Sequence, residues 1–221
     1  NDTQHLLMGN EAIVRGALEA GINVATGYPG TPSSEIIERF SGVAKERNLY
    51  VEWSTNEKVA AEVAAAASFA GLRSMCVMKQ NGVNVASDFL LHLASSGTRG
   101  GMLLVSCDDP GALSSVNEGE SRLFARLLEI PLLEPGDFQE AKDIVPWAFD
   151  LSEEIRNIVM IRSVTRLSNA SGNVRFGPLP DSTEARAKFT YSGPLLDPAT
   201  GPVISMILAD PALQPGPQQE K

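Results

Sequence analysis

Cysteine and histidine are scarce in this 221-residue chain, which holds two of each. Cys76 and Cys107 are too few for a four-cysteine zinc or iron–sulfur site. Both fall in apolar runs that read as strands, which points to buried thiols of a reducing compartment. His5 and His92 stand apart with no metal-ligand spacing around them, so no metal ligands are assigned. No dense run of Lys or Arg occurs, and the net charge is -9, which argues against binding nucleic acid through a basic surface. No apolar stretch approaches the roughly 20 residues of a membrane span. The first residues, Asn1-Asp2-Thr3-Gln4-His5-Leu6-Leu7, lack the charged start and apolar core of a signal peptide, and a cytoplasmic location is expected. Three catalytic signatures are missing as well: the G-x-G-x-x-G dinucleotide fingerprint, the G-x-x-x-x-G-K-[ST] P-loop and the G-x-S-x-G elbow.

With 43% hydrophobic and 20% charged residues, the composition is that of a globular protein with room for one sizeable core. Short aliphatic runs at 22–26, 49–53, 74–78, 102–106, 130–133 and 158–161 read as strands covered on both faces. Helical periodicity fills the gaps, at 10–20, 33–47, 57–70, 84–96 and 117–128. Gly21, Asn48, Gly71 and Gly97 supply the stop signals. A further helix at 141–149 follows Asp137-Phe138-Gln139-Glu140, which has capping-box spacing, and Pro146 is expected to kink or interrupt it. Strand–helix alternation of this kind predicts an α/β fold, a parallel sheet with helices on both faces. Beyond about residue 171 periodicity gives way to prolines. The expected organisation is therefore a domain over 1–170 and a Pro/Gly-rich arm or linker over 171–221, with one possible short strand at 203–208.

In such sheets ligands bind beyond the C-terminal ends of the strands. Those ends carry Gly27-Tyr28-Pro29-Gly30-Thr31-Pro32, Ser54-Thr55-Asn56-Glu57, Lys79-Gln80-Asn81-Gly82 and Cys107-Asp108-Asp109-Pro110-Gly111, the turn-rich polar sequence of the domain. Glu57 is the most informative residue among them. It opens an almost entirely small-residue helix directly after a strand, where a carboxylate can serve a bound ligand as proton partner. The competing reading is that it only complements the helix dipole. Likewise Thr31 either points its hydroxyl into the crevice or helps to cap the next helix, and Asp108-Asp109-Pro110 by itself reads as a turn.

Four co-linear blocks carry a resemblance: Gly27-Tyr28-Pro29-Gly30-Thr31-Pro32-Ser33-Ser34-Glu35; Ser54-Thr55-Asn56-Glu57-Lys58-Val59-Ala60; Met78-Lys79 with Gly82-Val83-Asn84-Val85-Ala86-Ser87-Asp88; and Asp108-Asp109-Pro110 through Asn117-Glu118 to Ser121-Arg122. Over residues 8–165 the chain resembles the thiamin diphosphate-dependent 2-oxoacid:ferredoxin oxidoreductases, in particular the pyrimidine-binding domain that begins the indolepyruvate-type alpha subunit. The resemblance implies an enzyme part that takes a 2-oxoacid to its acyl-CoA, with ferredoxin as electron acceptor. It also implies that Glu57 contacts N1′ of the aminopyrimidine, where a carboxylate favours the imino tautomer able to deprotonate thiazolium C2. By the same matched blocks Thr31, Gln80, Asn81 and Gly82 join Glu57 around the cofactor, while Thr31, Asn117 and Arg122, with Glu118, face the substrate.

The chain departs from that family in two respects. It has no Gly-Asp-Gly segment and no cysteine-rich region, so the diphosphate, its Mg²⁺ and the iron–sulfur clusters are expected on a partner domain or subunit, in a homo- or hetero-oligomer. Gln80-Asn81 also stands where a His or a small apolar residue is expected, leaving the identity of the 2-oxoacid open. Two alternatives remain: a non-catalytic assembly domain of the same fold, and a subunit of a non-oxidative thiamin-dependent 2-oxoacid decarboxylase.

Overall fold

The most continuous aliphatic runs become the middle of one parallel sheet, because only a strand covered on both faces can hide a side chain at every position. In the computed structural model, which describes residues 4–182 and Arg186, β4 (Ser74–Lys79), β5 (Met102–Asp108) and β7 (Val159–Val164) are these central strands, buried nearly throughout. They are joined by β2 (Val24–Gly27), β3 (Tyr50–Trp53) and the two-residue β6 (Leu132–Leu133), giving the order β3-β2-β4-β5-β7-β6 with every pairing parallel. The order reverses at β2, whose neighbours are β3 on one side and β4 on the other. A crevice therefore opens at the strand ends between β2 and β4.

Helices cover both faces. One face carries α1 (Gly9–Glu19), α2 (Ser34–Arg47) and α6 (Phe138–Ile155) over a core that includes Ile13, Ile36, Phe40, Val105 and Phe149. The other carries α3 (Glu57–Phe69), α4 (Gln80–Ser96) and α5 (Arg122–Leu128) over Met78, Leu90, Leu104 and Ile158. Each of these large side chains contributes about 1.5–3 kcal/mol on burial. A short helix, α7 (Thr165–Asn169), follows β7. Asn48 ends α2 in the left-handed region at φ 53°, as a helix stop should, and Asp137 caps α6 by accepting the Glu140 N–H at 2.8 Å. Glu140 completes only half of the expected capping box, since its carboxylate takes the Gly136 N–H instead.

Pro146 lies inside α6 without ending it. Proline cannot donate to the carbonyl four residues back, that of Lys142. This same carbonyl faces Gly16 of α1, where an added Cβ would sit 2.2 Å from the oxygen. The glycine lets α1 ride close over the segment that proline leaves open. Gly16→Ala is accordingly expected to destabilise the domain by about 1–3 kcal/mol, read as a lower urea midpoint, even though alanine is the better helix former.

Two strands escaped the sequence reading. Strand β1 (Gln4–Met8) pairs antiparallel with β8 (Ser171–Arg175) in a separate ribbon. Neither segment alternates cleanly, and only Val174 is fully buried, so no period-2 signal was available. Gly172 lies flat on the Phe138 ring, His5 stacks on Phe176 at 3.9 Å, and Arg15 covers Phe176 at 4.0 Å. The chain then stays attached through Gly177, bound by Glu19 and Arg15, as far as Ser182, which meets Asn48. The expected boundary at 170/171 thus falls within the packed structure, ahead of β8. The expected strand at 203–208 lies outside the described residues.

Candidate active site

Three turns build the mouth of the crevice. The first follows β2, where Gly30 packs on the aliphatic stem of Lys79: an added Cβ would lie 2.9 Å from Lys79 Cδ and would push the lysine aside. Its shape is held from α1 by buried Asn10, whose Nδ2 donates to the Pro32 carbonyl at 2.8 Å and to Glu35 at 3.1 Å. Thr31 is exposed on this turn, and Ser33 and Ser34 bond back to Gly30, so Thr31 is not the cap of α2. Asn10 was invisible to motif reading, because an asparagine near a helix start signals only a cap.

The second turn follows β3 and presents Glu57. Ser54 ties it to β2 through the Gly27 carbonyl at 2.9 Å. Asn56, not Glu57, caps α3, its side chain accepting the Val59 N–H at 2.9 Å. Glu57 is half-buried, and among the described residues neither a hydrogen bond nor an ion pair engages its carboxylate. It leans instead on α4, where a Cβ on Gly82 would fall 2.5 Å from Glu57 Cγ and 2.8 Å from Oε1. The carboxylate is thus shaped by packing and left available. Gly82→Ala should keep or slightly raise the melting temperature, alanine being favoured in a helix, yet cost roughly 100-fold in turnover of the assembled enzyme by displacing Glu57.

The third turn is the start of α4. Helical geometry begins at Gln80, four residues earlier than the periodicity indicated, so Gln80, Asn81 and Gly82 belong to a first helical turn rather than a loop. Two polar residues and a glycine carry little helical signal, which is why the sequence misled there. Gln80 is buried and Asn81 half-buried.

Over this start lies the loop of residues 109–121. The expected helix from 117 is shorter: α5 begins at Arg122, leaving Asn117 and Glu118 exposed on the loop and unable to cap it. The adjacent aspartates pin the loop's two ends. Asp109 accepts from the Ser114 N–H at 2.7 Å and from Thr165 at 2.6 Å. Burial raises its carboxyl, but these bonds and those of the Ser115 and Ser114 hydroxyls outweigh it and hold the pKa at about 2. Asp108, fully buried, accepts the Ser121 N–H at 3.0 Å and pairs with Arg162 at 2.6 Å. Arg162 continues to Glu134 at 2.5 Å, and Glu134 is also gripped by Arg122 at 2.8 and 3.0 Å. Asp108-Asp109 is therefore more than a turn; what a single sequence could not show was the buried arginine two strands away in sequence order.

The structure sets Glu57 against Gly82, with Asn81 on the same helical turn and Asn117 above it, Asn81 Nδ2 reaching Asn117 Oδ1 at 3.4 Å, while Gln80 turns toward Ser115 and Gly119 of the loop. Thr31 stands on the neighbouring turn. Arg122 is set differently, with its guanidinium engaged by Glu134 and Glu120. Cys76 is buried beneath, its thiol pushed up to about 12 by burial, with Thr26 hydrogen bonding opposing and the Glu57 charge adding. Buried Cys107 shifts upward for the same first reason. Both thiols are held as inert core groups.

Comparison with known proteins identifies the family. Residues 15–194 match the family described as pyruvate flavodoxin/ferredoxin oxidoreductase, thiamine diphosphate-binding. The indolepyruvate oxidoreductase subunit IorA of Pyrococcus horikoshii is 50% identical over 185 residues, covering 83% of this chain and 28% of that protein. The subunit of the same name from Methanothermobacter marburgensis is 52% identical over 171 residues, 77% of this chain and 28% of its own length. A more distant relative, the 2-oxoglutarate synthase subunit KorA of Methanothermobacter thermautotrophicus, is 29% identical over 165 residues, 72% of this chain and 44% of that one. A solved structure, the 2-oxoglutarate:ferredoxin oxidoreductase from Magnetococcus marinus with 2-oxoglutarate, coenzyme A and succinyl-CoA bound, shares the fold with a TM-score of 0.71 at 19% identity, over 79% of this chain and 32% of that one. The chain spans 28% of the length of the IorA relatives. It belongs to the family of thiamine diphosphate-binding domains of the pyruvate flavodoxin/ferredoxin oxidoreductases.

Proposed function

We propose that this domain binds the aminopyrimidine half of thiamin diphosphate in an indolepyruvate-type 2-oxoacid:ferredoxin oxidoreductase, with Glu57 as its catalytic carboxylate. The observation that carries the reading is the Glu57–Gly82 contact: a carboxylate spared from capping, set beside the β2–β4 switch point and seated on the one residue type that leaves it room. The residues fit the group, because the aminopyrimidine needs a carboxylate at N1′ and Glu57 offers a half-buried one that no hydrogen bond or ion pair engages among the described residues.

Thiamin diphosphate supplies the acidic thiazolium carbon and the electron sink that 2-oxoacid decarboxylation requires. Glu57 shares a proton at N1′ and so sets the tautomer of the ring. Gly82 holds the carboxylate in place, Asn81 stands on the same first turn of α4, and Gln80 lies on the loop side of that turn rather than against the cofactor as expected. Thr31, on the turn that Asn10 braces, borders the crevice from the β2 side, and Asn117 borders it from the loop. Arg122 contributes to substrate binding only by exchanging one of its carboxylate partners for the 2-oxoacid.

The diphosphate, its Mg²⁺, the iron–sulfur clusters and the contact with ferredoxin are assigned to a partner domain or subunit in the cytoplasm, with coenzyme A as acyl acceptor. An apolar surface supports such a partner: Leu113, Val116, Leu123 and Leu127 are all more than half exposed on the loop and α5, beside the site. No helix among the described residues is long and apolar enough to cross a membrane. We assign residues 4–182 to the folded unit, extending it past the expected boundary at 170.

Co-expression with the diphosphate-binding part tests the reading. Bound thiamin diphosphate and 2-oxoacid-dependent reduction of a low-potential acceptor are expected. Cofactor binding without reduction would favour the non-oxidative decarboxylase, and failure to bind the cofactor would favour the assembly domain.

A further inference from the structure

Four buried polar side-chain atoms lack a partner among the described residues: Asn10 Oδ1, Gln80 Oε1, Thr98 Oγ1 and Ser121 Oγ. Three of them belong to the crevice: Asn10 braces the Thr31 turn, Ser121 ends the covering loop, and Gln80 lies between loop and helix. Gln80 is the most consequential. It is 3% exposed at the first position of a 17-residue helix, and its side chain runs beneath the loop, with Cγ against Gly119 and Nε2 only 3.5 Å from Ser115 Oγ. Interchanging the amide oxygen and nitrogen would let Ser115 donate, but would strand the amide hydrogens instead. A buried amide that is half unsatisfied is less stable than an apolar side chain of the same length.

Geometry indicates which ligand that amide serves. Residues advance about 100° each around a helix, so Gln80 projects roughly 200° away from Gly82, the residue that meets Glu57. Gln80 therefore faces the loop, away from the aminopyrimidine side. Its two neighbouring contacts to the loop, Gln80–Ser115 and Asn81–Asn117, are both long and between neutral groups, which a ligand can replace at little cost. At neutral pH the reacting end of a 2-oxoacid offers a carboxylate and a ketone, which are acceptors only. Among the groups of a 2-oxoacid, then, only an N–H or O–H on its side chain can donate to Gln80 Oε1.

We propose that Gln80 is a specificity-determining residue, whose amide reads an N–H or O–H group on the side chain of the 2-oxoacid and favours such acids over hydrocarbon ones of the same shape. This rests on the proposed function, and deepens it by naming the residue that reads the acid's side chain and the chemistry it reads.

The test compares 4-hydroxyphenylpyruvate with phenylpyruvate, which differ by one hydroxyl, in the assembled enzyme and its Gln80→Met variant, alongside thermal melting of the 221-residue chain. Methionine is unbranched, of similar length, and needs no partner. The wild type should prefer the hydroxylated acid by about tenfold or more in kcat/KM, and Gln80→Met should bring the ratio to within about threefold. The melting temperature of the variant chain should rise by about 2–4 °C as the orphaned oxygen disappears. Equal use of both acids by the wild type, a preserved ratio in the variant, or an effect confined to the KM for thiamin diphosphate would overturn the proposal while leaving the cofactor assignment standing. Absence of cofactor binding, with neither acid consumed, would overturn both.

Discussion

Glu57→Gln, assembled with its diphosphate-binding partner, should lose about 10²–10⁴-fold in kcat while melting within about a degree of the wild type. The amide keeps the shape that packs on Gly82, and no hydrogen bond or ion pair of the described structure depends on the carboxylate. What changes is proton affinity: an amide cannot share a proton with a ring nitrogen as a carboxylate does. Retained turnover would return Glu57 to the role of a surface charge at a helix start, worth some tenths of a kcal/mol.

Arg162→Met should be the most damaging single change away from the crevice, costing about 3–5 kcal/mol. It would leave Asp108 charged and fully buried, with only the Ser121 N–H and the Ser106 hydroxyl to solvate it. Glu134 would keep Arg122 but lose its inner partner. Denaturant midpoints measure the loss. Adding Asp108→Asn should recover part of it, since a neutral amide is less costly to bury than a lone carboxylate. Because Asp108 fixes the Ser121 end of the loop, the single variant should also raise the KM for the 2-oxoacid.

Much of this architecture was legible in the sequence for a definite reason. Central parallel strands are apolar at every position and their helices end at residues suited to positive φ, so β4, β5, α2 and α4 could be marked within a few residues. Glu57 stood out because it opens an alanine-rich helix directly after a strand, at the sheet edge where ligands bind, and because the matched blocks name it. What stayed hidden depended on contacts distant in sequence. Strands β1 and β8 are exposed and paired only with each other, and Gly82 looked like a loop glycine until Glu57 was seen against it. The Asp108–Arg162 pair joins residues 54 positions apart, and neither has a local pattern that reveals the other.

The most direct measurement is hydrogen–deuterium exchange at C2 of thiamin diphosphate bound to the assembled particle, comparing wild type with Glu57→Gln. Carboxylate-assisted activation predicts exchange slower by about 10²–10⁴-fold in the variant at matched cofactor occupancy. Equal exchange rates would contradict it and remove Glu57 from the chemistry.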